Sequence, residues 1–241
     1  MCTVTYIPSG EKKFLTSNRD EKTFRKKALP PQIYLREEVR LIYPKDDDAG
    51  GTWIALNENG NVAVLLNGGF EKHISSPPYR KSRGLVFIDI IKQTSPVKYF
   101  LNVDLLGVEP FTVIIVEQNK LFECRWTGNN KFCKELNEKK PHIWSSATLY
   151  DRDTRNRREQ WFWQWLNRKS SPKQKDILQF HQFAGEGNKD NDLVMKRGEI
   201  YRTVSITSIE LENETGRMCY NDLTANETFH LEMKITTDCN V

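Results

Sequence analysis

Cysteine at position 2, directly after Met1, is the first residue of this chain whose place suggests chemistry. A cysteine is small enough for the preceding Met to be removed, and removal leaves a thiol and a free α-amine on one residue. An α-amine titrates near roughly 8 and can accept the proton of its own thiol, so one residue would carry both nucleophile and base. That residue needs a strand start to hold it, and Val4-Thr5-Tyr6-Ile7 reads as a strand. Ser9-Gly10 then reads as a turn and Lys13-Phe14-Leu15-Thr16 as the returning strand.

Such a hairpin brings Ser17-Asn18-Arg19-Asp20-Glu21 back beside residue 2. Asp20 can there hold the amine, and Arg19 favours thiolate over thiol because a neighbouring positive charge lowers a cysteine's pKa. Taken alone, the run also reads as a solvated turn with a capping Asp. Asn67-Gly68-Gly69 closes a strand over 62–66. Asn side chains and backbone N–H groups stabilise oxyanions, and glycines let a substrate approach the backbone. The bland reading is a strand-ending turn.

The ordered set Met1-Cys2-Thr3, Thr16-Ser17-Asn18-Arg19-Asp20-Glu21, Gly50-Gly51-Thr52-Trp53 and Asn67 resembles the NRDE family, the transport and Golgi organisation protein 2-like proteins. Further matches are Arg83-Gly84, Trp144-Ser145-Ser146-Ala147 and Tyr201-Arg202-Thr203, so the resemblance spans nearly the whole chain. The family in turn resembles the N-terminal nucleophile (Ntn) hydrolases near penicillin V acylase and choloylglycine hydrolase. This resemblance implies an α+β fold, a four-layer αββα sandwich of two mostly antiparallel sheets, that cleaves non-peptide amides. It implies Cys2 as nucleophile, Asp20 as holder of its amine, and Arg19 or Arg202 as the polarising cation. Asn67 would serve the oxyanion, with Asn18 in the same candidate site. One departure stands out: relatives carry Ser-Asn-Ala where this chain has Ser145-Ser146-Ala147, so Ser146 replaces a second oxyanion donor. A single such donor is worth about 10²–10³ in rate.

The elements must support that constellation. Residues 1–241 are read as one domain, since layered sheet folds reach about 250 residues as a unit. Thr52-Trp53-Ile54-Ala55-Leu56 and Val62-Ala63-Val64-Leu65-Leu66 flank an Asn/Gly turn, a second hairpin. Helices are expected over 82–92, 96–101, 151–168 and 172–184, the last with Pro172 in its first turn. Strands are expected near 111–117, 120–126, 142–147, 201–210, 216–221 and 227–235. Residues 21–50 read as irregular, with Pro30-Pro31 and Asp46-Asp47-Asp48, and 185–198 as a mobile loop. Strict βαβ alternation is missing, which argues against a parallel dinucleotide-binding sheet. On the helix over 151–168, Trp161 and Trp165 share a face and read as core, or as one wall of an apolar ligand pocket.

Composition bounds the alternatives. The 36 basic and 32 acidic residues are interspersed, giving a net charge of +4, and no aromatic-interleaved basic strand points to nucleic acid. No run approaches the roughly 18 apolar residues of a membrane span, and the N-terminus lacks a signal peptide's basic and apolar regions. Five cysteines at irregular spacing suit a reducing compartment, so a cytoplasmic location is expected. The four histidines show no metal-ligand spacing. The leading reading is an amide hydrolase without cofactor, acting on a small-molecule amide. The alternative, which the resemblance also brings, is a non-catalytic carrier or chaperone for an amphipathic ligand, haem or a lipid or acyl-CoA, with haem as its possible cofactor. The oligomeric state has no signature in the sequence.

Overall fold

The computed structural model describes residues 3–236. In chain order, β1 (Thr3–Ser9), β2 (Lys12–Lys22), β3 (Leu29–Arg36), β4 (Val39–Lys45), β5 (Ile54–Asn57) and β6 (Val62–Asn67) come first. Helices α1 (Arg83–Ile91) and α2 (Pro96–Asn102) follow, then β7 (Phe111–Glu117), β8 (Lys120–Trp126), β9 (Lys131–Leu136) and β10 (His142–Ser145). The last part holds α3 (Arg152–Leu166), α4 (Gln174–Phe183), β11 (Lys196–Arg197), β12 (Tyr201–Glu212), β13 (Thr215–Asp222) and β14 (Glu227–Lys234).

These strands form two antiparallel sheets. One runs β10-β1-β2-β12-β13-β14, with β11 on the end of β12, and the other runs β3 to β9 in sequence order. Helices α1 and α2 pack on β5, β6, β7 and β8, while α3 and α4 pack on β10, β2 and β12. The result is the four-layer αββα sandwich.

Side-chain alternation explains the layers. Along β1 and β2, Val4, Tyr6 and Leu15 enter the core between the sheets, whereas Ile7 and Phe14 enter a second core beneath α3 and α4. A strand covered on both faces needs no polar side, and β7 (Phe-Thr-Val-Ile-Ile-Val-Glu) is buried at every residue. On α3, Thr154, Arg158 and Phe162 recur every fourth position and form its buried stripe. Trp161 and Trp165 pack against the second core, as the helical spacing predicts. Asp151 caps α3 by accepting from the Thr154 amide at 2.8 Å.

The structure corrects four local readings. Residues 21–50 contain a hairpin, β3 and β4, joined by Glu37-Glu38 with Glu37 at a φ of 56°. Its prolines sit at the start of an edge strand, beside a register shift between Leu29 and Gln32, where a missing amide donor costs no ladder bond. Thr52 and Trp53 lie outside a strand, which begins at Ile54. Strand β9 has no apolar alternation to betray it, because it is a largely exposed edge strand. Helix α4 begins at Gln174, so Pro172 precedes it.

Candidate functional site

Cys2, the expected nucleophile, lies outside the described residues, as do Met1 and Cys239. The next residue, Thr3, opens β1 and pairs with Asn18 on β2. The 18–20 run therefore starts beside the chain's first described residue, and the pleat splits its three side chains between two faces.

Asn18 faces the helices. Its Nδ2 donates to the carbonyls of His181 (3.1 Å) and Leu193 (2.8 Å), and its Oδ1 accepts from His181 Nδ1. With that tautomer, Nε2 accepts from Thr5 Oγ1 at 2.7 Å. Burial, with Arg158 nearby, pushes the His181 pKa down to about 3, so the ring is neutral. These bonds also tie down the segment over 185–198, which the sequence suggested was mobile.

Arg19 faces the other sheet. Its guanidinium lies over the Trp53 ring at 4.5 Å and bridges Asp46 (2.8 Å) and Glu21 (3.3 Å). Arg25 joins the same carboxylates, so the cluster is internally compensated.

Asp20 is buried and accepts two hydroxyl hydrogen bonds, from Tyr150 at 2.5 Å and from Thr203 at 2.5 Å. It makes no ion pair among the described residues. The Tyr150 ring supports the Arg158 guanidinium at 3.7 Å. Arg158 is fully buried, donating to Thr3 Oγ1 (2.6 Å) and to the carbonyls of Asn191 (3.0 Å) and Asp192 (2.7 Å).

Asp20, Asn67 and Ser146 line one cavity of about 640 Å³, with Arg83, Glu109 and Leu149 among its other walls. Arg19 and Trp53 line an adjoining cleft of about 390 Å³, which shares Asn67, Arg83 and Glu109 with the first. Asn67 also lines a third cavity, of about 420 Å³, bounded by Phe70 and Trp144. Asn67 thus stands where the three meet, and its side-chain amide makes no hydrogen bond among the described residues. The Ser146 hydroxyl donates to the Asn67 carbonyl at 2.9 Å and is 3.0 Å from Thr148 Oγ1. Gly68 has φ +87°, and a Cβ there would fall 2.8 Å from Thr148 Cγ2, so the Asn67-Gly68 turn requires glycine.

Arg202 is not brought to this cavity. It is exposed on β12, its backbone paired with Glu21, beside a small cleft that Arg19 also lines. Sequence reading missed Tyr150, Arg158 and His181. Arg158 shows itself only as the charged residue inside a buried helical stripe, and Tyr150 and His181 carry no motif. Glu109 bridges Arg83 (3.0 Å) and His73 (3.1 Å), and burial lowers the Arg83 pKa.

The walls of these cavities carry no histidine or cysteine among the described residues, and Glu21 and Glu109 are tied to arginines.

The fold is that of the Ntn hydrolases. A mutant (C2A) conjugated bile acid hydrolase from Clostridium perfringens matches with a TM-score of 0.61 at 11% identity, over 97% of this chain and 92% of that one. Penicillin V acylase from Agrobacterium tumefaciens matches with a TM-score of 0.57 at 10% identity, over 97% and 86%. The Caenorhabditis elegans N-acylethanolamine-hydrolyzing acid amidase ortholog matches with a TM-score of 0.53 at 13% identity, over 86% and 92%. No helix among the described residues is long and apolar enough to cross a membrane. No curated protein sequence matches the chain. The family model for Transport and Golgi organisation 2 matches residues 1–221, and the chain belongs to that family.

Proposed function

We propose that this protein is an N-terminal-cysteine amide hydrolase. Cys2, freed of Met1, attacks the amide carbonyl carbon through its thiol sulfur. The thiol proton passes to the α-amine and then to the departing nitrogen. The amine product leaves, an acyl thioester remains, and water releases the carboxylic acid. Asp20 holds the α-amine in this scheme, and the Asn67 side-chain amide stabilises the oxyanion. Arg19, held over Trp53 with its charge matched by Asp46 and Glu21, braces the adjoining cleft, and Ser146 positions Asn67 through its carbonyl.

One observation carries the reading. Asp20 is a buried carboxylate at a cavity wall, bonded to two neutral hydroxyls and to no cation among the described residues. Buried charges are ordinarily paired, and an α-ammonium is a partner of the right sign. The Ntn-hydrolase fold supports the same class, and the names of the solved neighbours, an acylase, a conjugated bile acid hydrolase and an N-acylethanolamine-hydrolyzing amidase, suggest a small-molecule amide.

The second reading is a carrier for an amphipathic ligand in the same cavities, with Phe70 and Trp144 as its apolar walls. For haem, the three cavities offer no His, Cys or Met among the described residues as an axial ligand. Tyr79 and Tyr201 line two of these cavities and could hold a haem iron, so the carrier reading takes haem or a lipid-like ligand.

The test is hydrolysis of penicillin V, a bile-acid conjugate and an N-acylethanolamine by Met1-free protein, alongside Cys2→Ala. Hydrolysis of any one of them that Cys2→Ala abolishes supports the hydrolase. Hydrolysis undiminished in that variant, or acyl-chain binding without turnover of any substrate, sinks it.

A further inference from the structure

Cys124 and Cys133 stand directly opposite each other on β8 and β9, with their sulfurs 3.3 Å apart. Both are free thiols. Opposed residues of an antiparallel pair have Cα atoms about 4.5–5.5 Å apart, which lies inside the roughly 4.4–6.8 Å that a disulfide spans. A bridge here needs no strand to move.

The two thiols are unequal. Cys124 is fully buried in the core, whereas Cys133 is exposed on the edge strand. In the contact between the two sulfurs, where either S–H can donate, Cys124 draws the Cys133 thiol below its ordinary value. That same contact, together with burial, pushes Cys124 up. Reactive thiols combine access with thiolate character, and oxidation-sensing ones commonly sit beside a resolving cysteine. Neither residue lines the cavities around Asn67. The pair is near the end of α2 instead, where Lys131, two residues before Cys133, donates to the Leu101 carbonyl at 2.8 Å.

We propose that Cys124 and Cys133 form an oxidation site, in which exposed Cys133 reacts with a hydroperoxide and Cys124 resolves the product as a cross-strand disulfide. The Cys133 sulfur attacks the terminal peroxide oxygen, the O–O bond breaks, and Cys133 becomes a sulfenic acid. With hydrogen peroxide the departing fragment leaves as water. The Cys124 sulfur then attacks Cys133 Sγ, its proton leaves with the sulfenic oxygen as a second water, and the S–S bond forms. Two thiols are oxidised and one peroxide is reduced. The bridge would fasten edge strand β9 to β8 without touching the cavity, so this inference stands apart from the hydrolase reading.

The experiment treats the native, full-length protein with stoichiometric hydrogen peroxide, quenches by alkylation and maps peptides without reduction. The expected product is a Cys124–Cys133 linked peptide, lighter by two hydrogens and restored by a dithiol reductant. Cys133→Ser, at an exposed position, should form no link, and Cys124→Ser should stop at a dimedone-reactive sulfenic acid on Cys133. Cys219 is buried, with its pKa pushed up to about 11, and should still be unmodified when the link has formed. Oxidation of Cys219 ahead of Cys133, a link that forms only in denaturant, or overoxidised Cys133 with no link would each overturn the proposal.

Discussion

The Tyr150 hydroxyl lies 2.5 Å from Asp20 Oδ2, and the same carboxylate receives the Thr203 hydroxyl on its other oxygen. Asp20 is thereby fixed by groups that donate hydrogen bonds without neutralising it. Removing one donor from a buried charged acceptor costs about 1–3 kcal/mol. Tyr150→Phe and Thr203→Val should each lower the urea midpoint by an equivalent amount. Because both donate to one carboxylate, the double variant should depart from the sum of the singles. Strict additivity in a double-mutant cycle would show that Asp20 does not couple them.

Asn67 stands at the junction of the three cavities with an unengaged amide, and this makes a kinetic prediction on the hydrolase reading. An oxyanion donor acts on the transition state, so Asn67→Ala should lower kcat by about 10²–10³. KM should change little, since the ground-state carbonyl gains less from the donor. A variant that raised KM and left kcat intact would assign Asn67 to substrate binding instead.

His181 makes stability depend on pH. Its pKa is pushed down to about 3 in the folded protein by burial and by the Arg158 charge, against about 6.5 unfolded. A depressed histidine pKa means that the unfolded chain binds the proton first. Its contribution is therefore whole above about pH 6.5 and is lost as pH falls toward 3, at up to about 1.4 kcal/mol per pH unit. Urea titrations between pH 7.5 and 5 should show this loss, and His181→Gln should remove that component of the slope. Equal slopes for parent and variant would mean that His181 takes up its proton over the same pH range in the folded protein as in the unfolded chain.

Most elements were legible, because β6 and β7 are strand-length apolar runs and α3 has helical spacing, whereas the four-layer α+β arrangement was legible only through the family resemblance. Strands β3 and β9 were hidden for one reason: an edge strand has little to bury, so prolines and charged residues replace apolar alternation. Within the site, Asp20, Asn67 and Ser146 converge on one cavity, and Asn18 and Arg202 do not line it. The Asn18-Arg19-Asp20 run looks like one functional unit, yet the pleat sends Asn18 to α4 and Arg19 to Trp53. Other motif residues form a joint. A Cβ on Gly51 would fall 2.5 Å from the Gly84 carbonyl carbon, so the Gly50-Gly51-Thr52-Trp53 and Arg83-Gly84 segments require glycine where their backbones touch. Tyr150, Arg158 and His181 act through partners far along the chain, and no local spacing reveals such pairings.

Arg158 is the sharpest of those long-range cases. A fully buried guanidinium is costly unless its donors are satisfied, and here the acceptors are two loop carbonyls, the Thr3 hydroxyl and the Tyr150 ring. Arg158→Met keeps the apolar stem but strands the Asn191 and Asp192 carbonyls, and loosens Thr3 and Tyr150 together. Each buried group left unpaired costs about 1–3 kcal/mol, so a loss of several kcal/mol is expected. Arg158→Lys should rescue little, since an ammonium cannot reproduce the planar fork or its stacking on the ring. Hydrogen exchange adds the spatial signature: amides near Thr3 and over 188–195 should lose protection before those of β6 and β7. If Arg158→Met unfolds at the parent's urea midpoint, the buried charge is not what joins α3 to the first strand. Loss of protection spread evenly over both sheets would instead mark Arg158 as a general core residue with no particular hold on the chain's beginning.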